Sequence, residues 1–386
     1  MTYILIIFVP IIVTALAISR MGIASLAPSS HLKHQTLDPL RGLAATSVMA
    51  HHSLLMYNLM NGGSWSTIGP SIQMGQSTKR IFDSLGNVPV SIFFMITAFL
   101  FFERLIQKRG SLDFSEFYFK RILRIVPMYL VMVVSVMLTY TLFGINGGAY
   151  EIIRSILSWL SFSFLPVKSL TDELIGGRAA AGVIWTLAIE WKFYIMIPAI
   201  ALFTKNLKTA SFFVLASIAI VISSFLFGLM PERDAVISLC FSTGMISACL
   251  YQLNNNILNN ILRHWLSSLV CIAAISSSII LTKGEYTFQI WIGLSLFFIC
   301  AANGNTLFGV LKLESLRFLG LISYSIYLMH GAIFAIIFGL ALNGVNYQSS
   351  ILLSAPTIII LCTFTYIHIE RRFSTPVALK RVESKS

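Results

Sequence analysis

Apolar residues in this chain run in blocks of about twenty, the length an α-helix needs to cross ~30 Å of hydrocarbon. Eleven blocks can be read, near 2–19, 40–60, 87–107, 127–145, 183–204, 209–229, 234–252, 265–282, 285–303, 316–340 and 350–369. The pattern predicts an all-α, polytopic membrane helix bundle: a ten-helix core with one extra N-terminal helix. The first block has no basic residue before it and is followed by Arg20, so it reads as a retained helix rather than a cleaved secretory signal. Residues 1–30 then form an N-terminal membrane helix and linker, 31–375 the transmembrane domain, and 376–386 a tail.

Composition sharpens this picture. With 56% hydrophobic and only 11% charged residues, against about 25% charged in a soluble domain, a water-soluble globular protein is excluded. A net charge of +12 would suggest a nucleic-acid partner in a soluble protein. In a membrane protein it is explained by basic loops, so no nucleic acid is expected. With ten core spans, one side holds 19 of the Lys and Arg residues and the other 7. The richer side, which includes 103–126 and the C-terminus, is therefore cytoplasmic. The longer segments 61–86 and 146–182 face outward. All five cysteines lie in apolar blocks at no metal-ligand spacing, so no metal is expected.

Titratable groups inside the blocks are costly to place in hydrocarbon and mark function, which gives a short list of His51, His52, Glu190, Lys192 and His330. Asp38 and Arg41 stand at the cytoplasmic mouth of the second block, with Asp38 as helix cap and Pro39 in the first turn. Eleven residues separate Arg41 from His52, roughly three full turns, so they share a helix face while His51 does not. Glu190 and His330 reach about the depth of His52, and a carboxylate beside a histidine suits general-base catalysis. Arg121 and Arg124, spaced i and i+3, can grip one phosphate together. The alternative for each is structural: polar contacts between packed helices, a snorkelling Lys192, and arginines anchoring headgroups.

Six segments in order resemble the acyltransferase-3 family of integral membrane acyltransferases. Leu37 to His52 is similar to its first signature, Val90 to Leu100 to its second, and Arg121 with Arg124 to its cytoplasmic arginine pair. Trp185 to Tyr194, Gly320 to His330 and Ile369 to Phe373 resemble the remaining three. Thr97-Ala98 stands where Ser-Gly is usual, Trp191 where many members have an acid, and Arg372 where the closing proline falls. The usual esterase-like extension is missing, as in a single-domain member.

The resemblance implies transfer of an acyl group, most often acetyl from acetyl-CoA, to a hydroxyl of a cell-surface or exported saccharide or glycolipid, in a bacterial inner membrane. On that reading acyl-CoA binds from the cytoplasm with its phosphates on Arg121, Arg124 and Arg41, and Asp38 positions Arg41. His52 deprotonates the acceptor and Glu190 orients its ring. Trp185, Tyr194, Tyr324, Tyr327 and His330 line the acceptor path. Direct transfer and an acyl-histidine intermediate both remain open. So does a different class of protein, a secondary transporter or flippase using His52, Glu190 and Lys192 as a proton or substrate site.

Overall fold

The computed structural model describes residues 2–22, 34–70, 72–281 and 286–374. Among them the chain is an all-α bundle without strands, in which every apolar block becomes a helix. The elements are α1 (Thr2–Arg20), α2 (Leu37–Met60), α3 (Gln76–Gln107), α4 (Phe114–Phe143), α5 (Ala149–Leu160), α6 (Trp185–Ala201), α7 (Leu207–Leu226) and α8 (Glu232–Leu253). They continue with α9 (Asn256–Arg263), α10 (Trp265–Leu281), α11 (Phe288–Ala302), α12 (Glu314–Leu321), α13 (Ser323–Ile336), α14 (Tyr347–Thr365) and a one-turn α15 (Arg371–Ser374). The proposed linker and tail fall largely outside the described residues.

Seven helices among the described residues are long and apolar enough to cross a membrane unaided. They become eight if α9 and α10, bent by 59°, form one broken span. The elements that fall short are informative. α2 carries Asp38, Arg41, His51 and His52; α6 has 17 residues and carries Glu190 and Lys192; α11 has 15. Polar cargo or shortness, not loss of helical structure, keeps them below the threshold.

Packing separates an outer layer from an inner one. α7 buries Ala210 and Val214 while Phe212, Leu215 and Ile220 are exposed, as expected of a helix facing lipid. α2 instead buries most of its length, and its neighbours approach through small residues. A Cβ on Gly42 would collide with the Leu316 carbonyl, and one on Gly320 with the Asp38 carbonyl, so α2 and α12 touch backbone to backbone. α1 packs on the inner bundle through Ile7, Ile11, Ala15 and Ser19, a stripe at four-residue spacing.

Three boundaries depart from the sequence reading. The block at 316–340 is two helices: α12 ends at Leu321, α13 starts at Ser323, and a π-turn follows at Ile337–Ala341. α3 begins at Gln76, so the outward segment 61–86 is partly helical; its first turns, Gln76-Ser77-Thr78-Lys79-Arg80, are too polar to read as a span. α4 begins at Phe114 behind an Asp113 cap whose side chain accepts from the Glu116 amide at 3.0 Å. This places Arg121 and Arg124 on a helix, as their spacing predicts.

Candidate active site

Two cavities among the described residues bring the candidate side chains together. The first, with an empty volume of about 850 Å³, is lined by Arg41, Arg121, Arg124, Glu190, Tyr194 and Tyr324 among others. The second, about 740 Å³, is lined by His51, His52, Trp65, Asp83, Trp185 and Arg233 among others. Val90 and Tyr327 belong to both walls. Arg41 and His52, on one face of α2, therefore each open into a different chamber, one above the other along the helix.

The arginine chamber carries three guanidiniums and one carboxylate. Arg41 Nη1 is 3.9 Å from Asp38 Oδ1 one turn earlier. The cap is Thr36 rather than Asp38: the helix starts at Leu37, and Thr36 Oγ1 donates to the Ala301 carbonyl at 2.7 Å. Asp38 still stands in the first turn, where a carboxylate suits the helix dipole. Arg121 lies over the Phe101 ring at 5.0 Å. The Nε atoms of Arg41 and Arg121 are buried without a hydrogen-bond partner, a deficit that costs free energy unless a ligand supplies acceptors. A phosphorylated, anionic ligand fits this donor set.

Glu190 belongs to this chamber and not to the histidines. It accepts a hydrogen bond from the Tyr194 hydroxyl, four residues on along α6. The expected Glu190–His52 pair is not formed. Residue counting assigns the two a common depth, but the face of α6 that carries Glu190 turns toward the arginines. Lys192 is exposed on the opposite side of α6 and pairs with no carboxylate among the described residues.

His330 takes the place expected for the carboxylate. Its Nδ1 lies 2.8 Å from the Ile326 carbonyl, and its Nε2 3.0 Å from His52 Nδ1. A carbonyl only accepts, so His330 Nδ1 carries the proton and its Nε2 is a lone pair. With both rings neutral, that lone pair receives the proton on His52 Nδ1, which leaves His52 Nε2 unprotonated. The two rings lie nearly parallel, with an interplanar angle of 17° and centroids 5.1 Å apart, the separation of rings joined edge to edge by one hydrogen bond. His330 is fully buried and is not among the residues that line either cavity; its ring meets His52. Gly331, next in sequence, lets the segment 176–182 press onto α13: a Cβ there would stand 2.8 Å from Ala180 Cα. His51 turns away from His52's partner, its Nδ1 2.8 Å from the Phe82 carbonyl.

The four aromatic candidates divide between the chambers. Trp185 lines the histidine chamber, while Tyr194 and Tyr324 line the arginine chamber, Tyr324 donating to the Ile125 carbonyl at 3.0 Å. Tyr327 stands at the shared wall with its hydroxyl 2.9 Å from Thr186 Oγ1, and Phe93 packs edge-on to it at 5.6 Å. Trp65, Asp83 and Arg233 in the histidine chamber escape a search of apolar blocks because they lie in or beside the connecting segments.

Comparison with known proteins identifies the family. The sequence model described as "Acyltransferase domain" (Acyl_transf_3) matches residues 34–369. The chain is 28% identical over 314 residues to an "O-acetyl transferase" of Shigella phage Sf6, covering 76% of this chain and 86% of that protein. It is 28% identical over 171 residues to the "Putative peptidoglycan O-acetyltransferase YrhL" of Bacillus subtilis (strain 168), 42% of this chain and 23% of the relative. "Nodulation protein 10" of Rhizobium leguminosarum bv. viciae is 26% identical over 212 residues, 52% of each. No solved structure matches significantly. The chain belongs to the acyltransferase-3 family and is an integral membrane O-acyltransferase.

Proposed function

We propose that the enzyme moves an acetyl group from acetyl-CoA, bound in the arginine chamber from the cytoplasmic side, to a saccharide hydroxyl in the histidine chamber on the outer side of a bacterial inner membrane. One observation carries the reading: an anion-ready cavity and a cavity holding a free imidazole nitrogen share the wall at Tyr327 and Val90. The names of the relatives support acetyl and a saccharide acceptor.

Arg121, Arg124 and Arg41 hold the donor's phosphates, and Asp38 steadies Arg41. His52 Nε2 takes the acceptor hydroxyl's proton as that oxygen attacks the thioester carbonyl and CoA leaves as thiolate. His330 fixes the tautomer that makes this possible. Glu190 fixes Tyr194 and balances charge on the donor side, so its role differs from that of a partner to the base.

The test is release of CoA thiol by the purified protein in detergent, given acetyl-CoA and a cell-wall or lipopolysaccharide glycan, with the acetylated product weighed by mass spectrometry. Thiol release coupled to a 42 Da gain on the glycan is expected. Glycan movement into vesicles without thiol release points to transport instead.

A further inference from the structure

Arg233 lines the histidine chamber and Arg178 adjoins it across Trp65, and the acyl-transfer reaction uses neither. Arg233 lies over the Trp185 ring at 4.5 Å, with the Tyr286 ring at 5.8 Å. Arg178, in the 3₁₀ turn Gly176–Ala180, lies over Trp65 at 5.7 Å. Trp65, Trp185 and Tyr286 all line the chamber. Neither arginine has a carboxylate partner within 4.0 Å among the described residues. The one acid in the lining, Asp83, is already neutralised by Lys79 Nζ at 2.6 Å and accepts from Thr67 Oγ1 at 2.6 Å. One guanidinium in the lining, Arg233, and a second adjoining it across Trp65, Arg178, are thus each held over an indole, and among the described residues neither has a carboxylate partner.

A guanidinium held flat on an aromatic ring keeps its in-plane donors available for a bidentate anion. Aromatic rings in the same wall offer faces for a sugar. We infer that the acceptor is an anionic saccharide, whose carboxylate or phosphate is held by Arg233 and Arg178 while its hydroxyl reaches His52. This rests on reading the histidine chamber as the acceptor side.

The purified full-length protein is titrated with glucose, glucuronic acid and glucose 1-phosphate, following tryptophan fluorescence. Both charged sugars, or one of them, are expected to bind at least about tenfold more tightly than glucose, the scale of one charge-assisted hydrogen bond. Which charged sugar binds separates carboxylate from phosphate. R233Q and R178Q should each erase the preference, R233K should keep only part of it because an ammonium retains the charge but not the stacked bidentate fork, and added salt should weaken it. Three equal titrations, or a preference that survives in both glutamine variants, overturn the proposal. Failure of the underlying reading shows elsewhere: CoA release that persists in H52A would remove the acceptor chamber's role whatever the sugars do.

Discussion

The two chambers are built on the same helices yet solve opposite problems. The arginine chamber concentrates positive charge and leaves buried donors at Arg41 and Arg121 without partners. The histidine chamber satisfies every step of its internal chain, Ile326 carbonyl to His330 to His52, and exposes a single unprotonated nitrogen at its end. The donor side leaves buried guanidinium donors for an anion to satisfy; the histidine pair is internally satisfied and needs only a proton to take. A transferase joining a charged donor to a neutral hydroxyl needs both, separated so that the base does not stay paired with the donor's phosphates.

The sharpest way to break this contrast is at the base. His52→Ala should lower acyl transfer by about 10³-fold, within the usual contribution of a general base, with acetyl-CoA affinity unchanged by isothermal titration. Next comes His330→Ala. Misorienting the ring without removing it should cost ~10²-fold in kcat and alter the pH profile of kcat, which a merely packing role would leave unmoved. Arg121→Ala with Arg124→Ala should act on the other chamber, raising KM for the donor by about 10- to 100-fold through loss of charge-assisted hydrogen bonds and changing kcat less. Glu190→Gln is a finer discriminator: its effect should fall on the donor KM, as for the arginines, and leave the pH profile of kcat alone. The smallest functional effect is expected at Gly331→Ala, where a methyl group meets the Ala180 backbone. Overpacking there should cost about 1–3 kcal/mol, read as a lower Tm in detergent, with a modest loss of activity as the 176–182 segment shifts over His330.

Much of this was legible in the chain itself. Block lengths give the helices, and helical period places Arg41 with His52 and Arg121 with Arg124. Glu190 shows where such reasoning stops. Residue counting gives depth along a span but not which neighbour a face meets, and α6 turns Glu190 toward Tyr194 and the arginines. His330, at comparable depth, sits on the face of α13 that meets α2, so it becomes the partner of His52. The division of the tyrosines between chambers has the same origin. Arg233 and Arg178 were hidden for another reason: their contacts are aromatic rings far away in sequence, in segments with no periodic pattern to read.

The central claim is that binding of the donor and the chemistry of transfer reside in separate chambers meeting at Tyr327. It is tested most directly by measuring acetyl-CoA affinity and acceptor-dependent CoA release on one preparation of His52→Ala. Wild-type donor affinity with acceptor-dependent release reduced by about 10³-fold is expected. Wild-type release, or loss of donor binding in a folded protein, would contradict it.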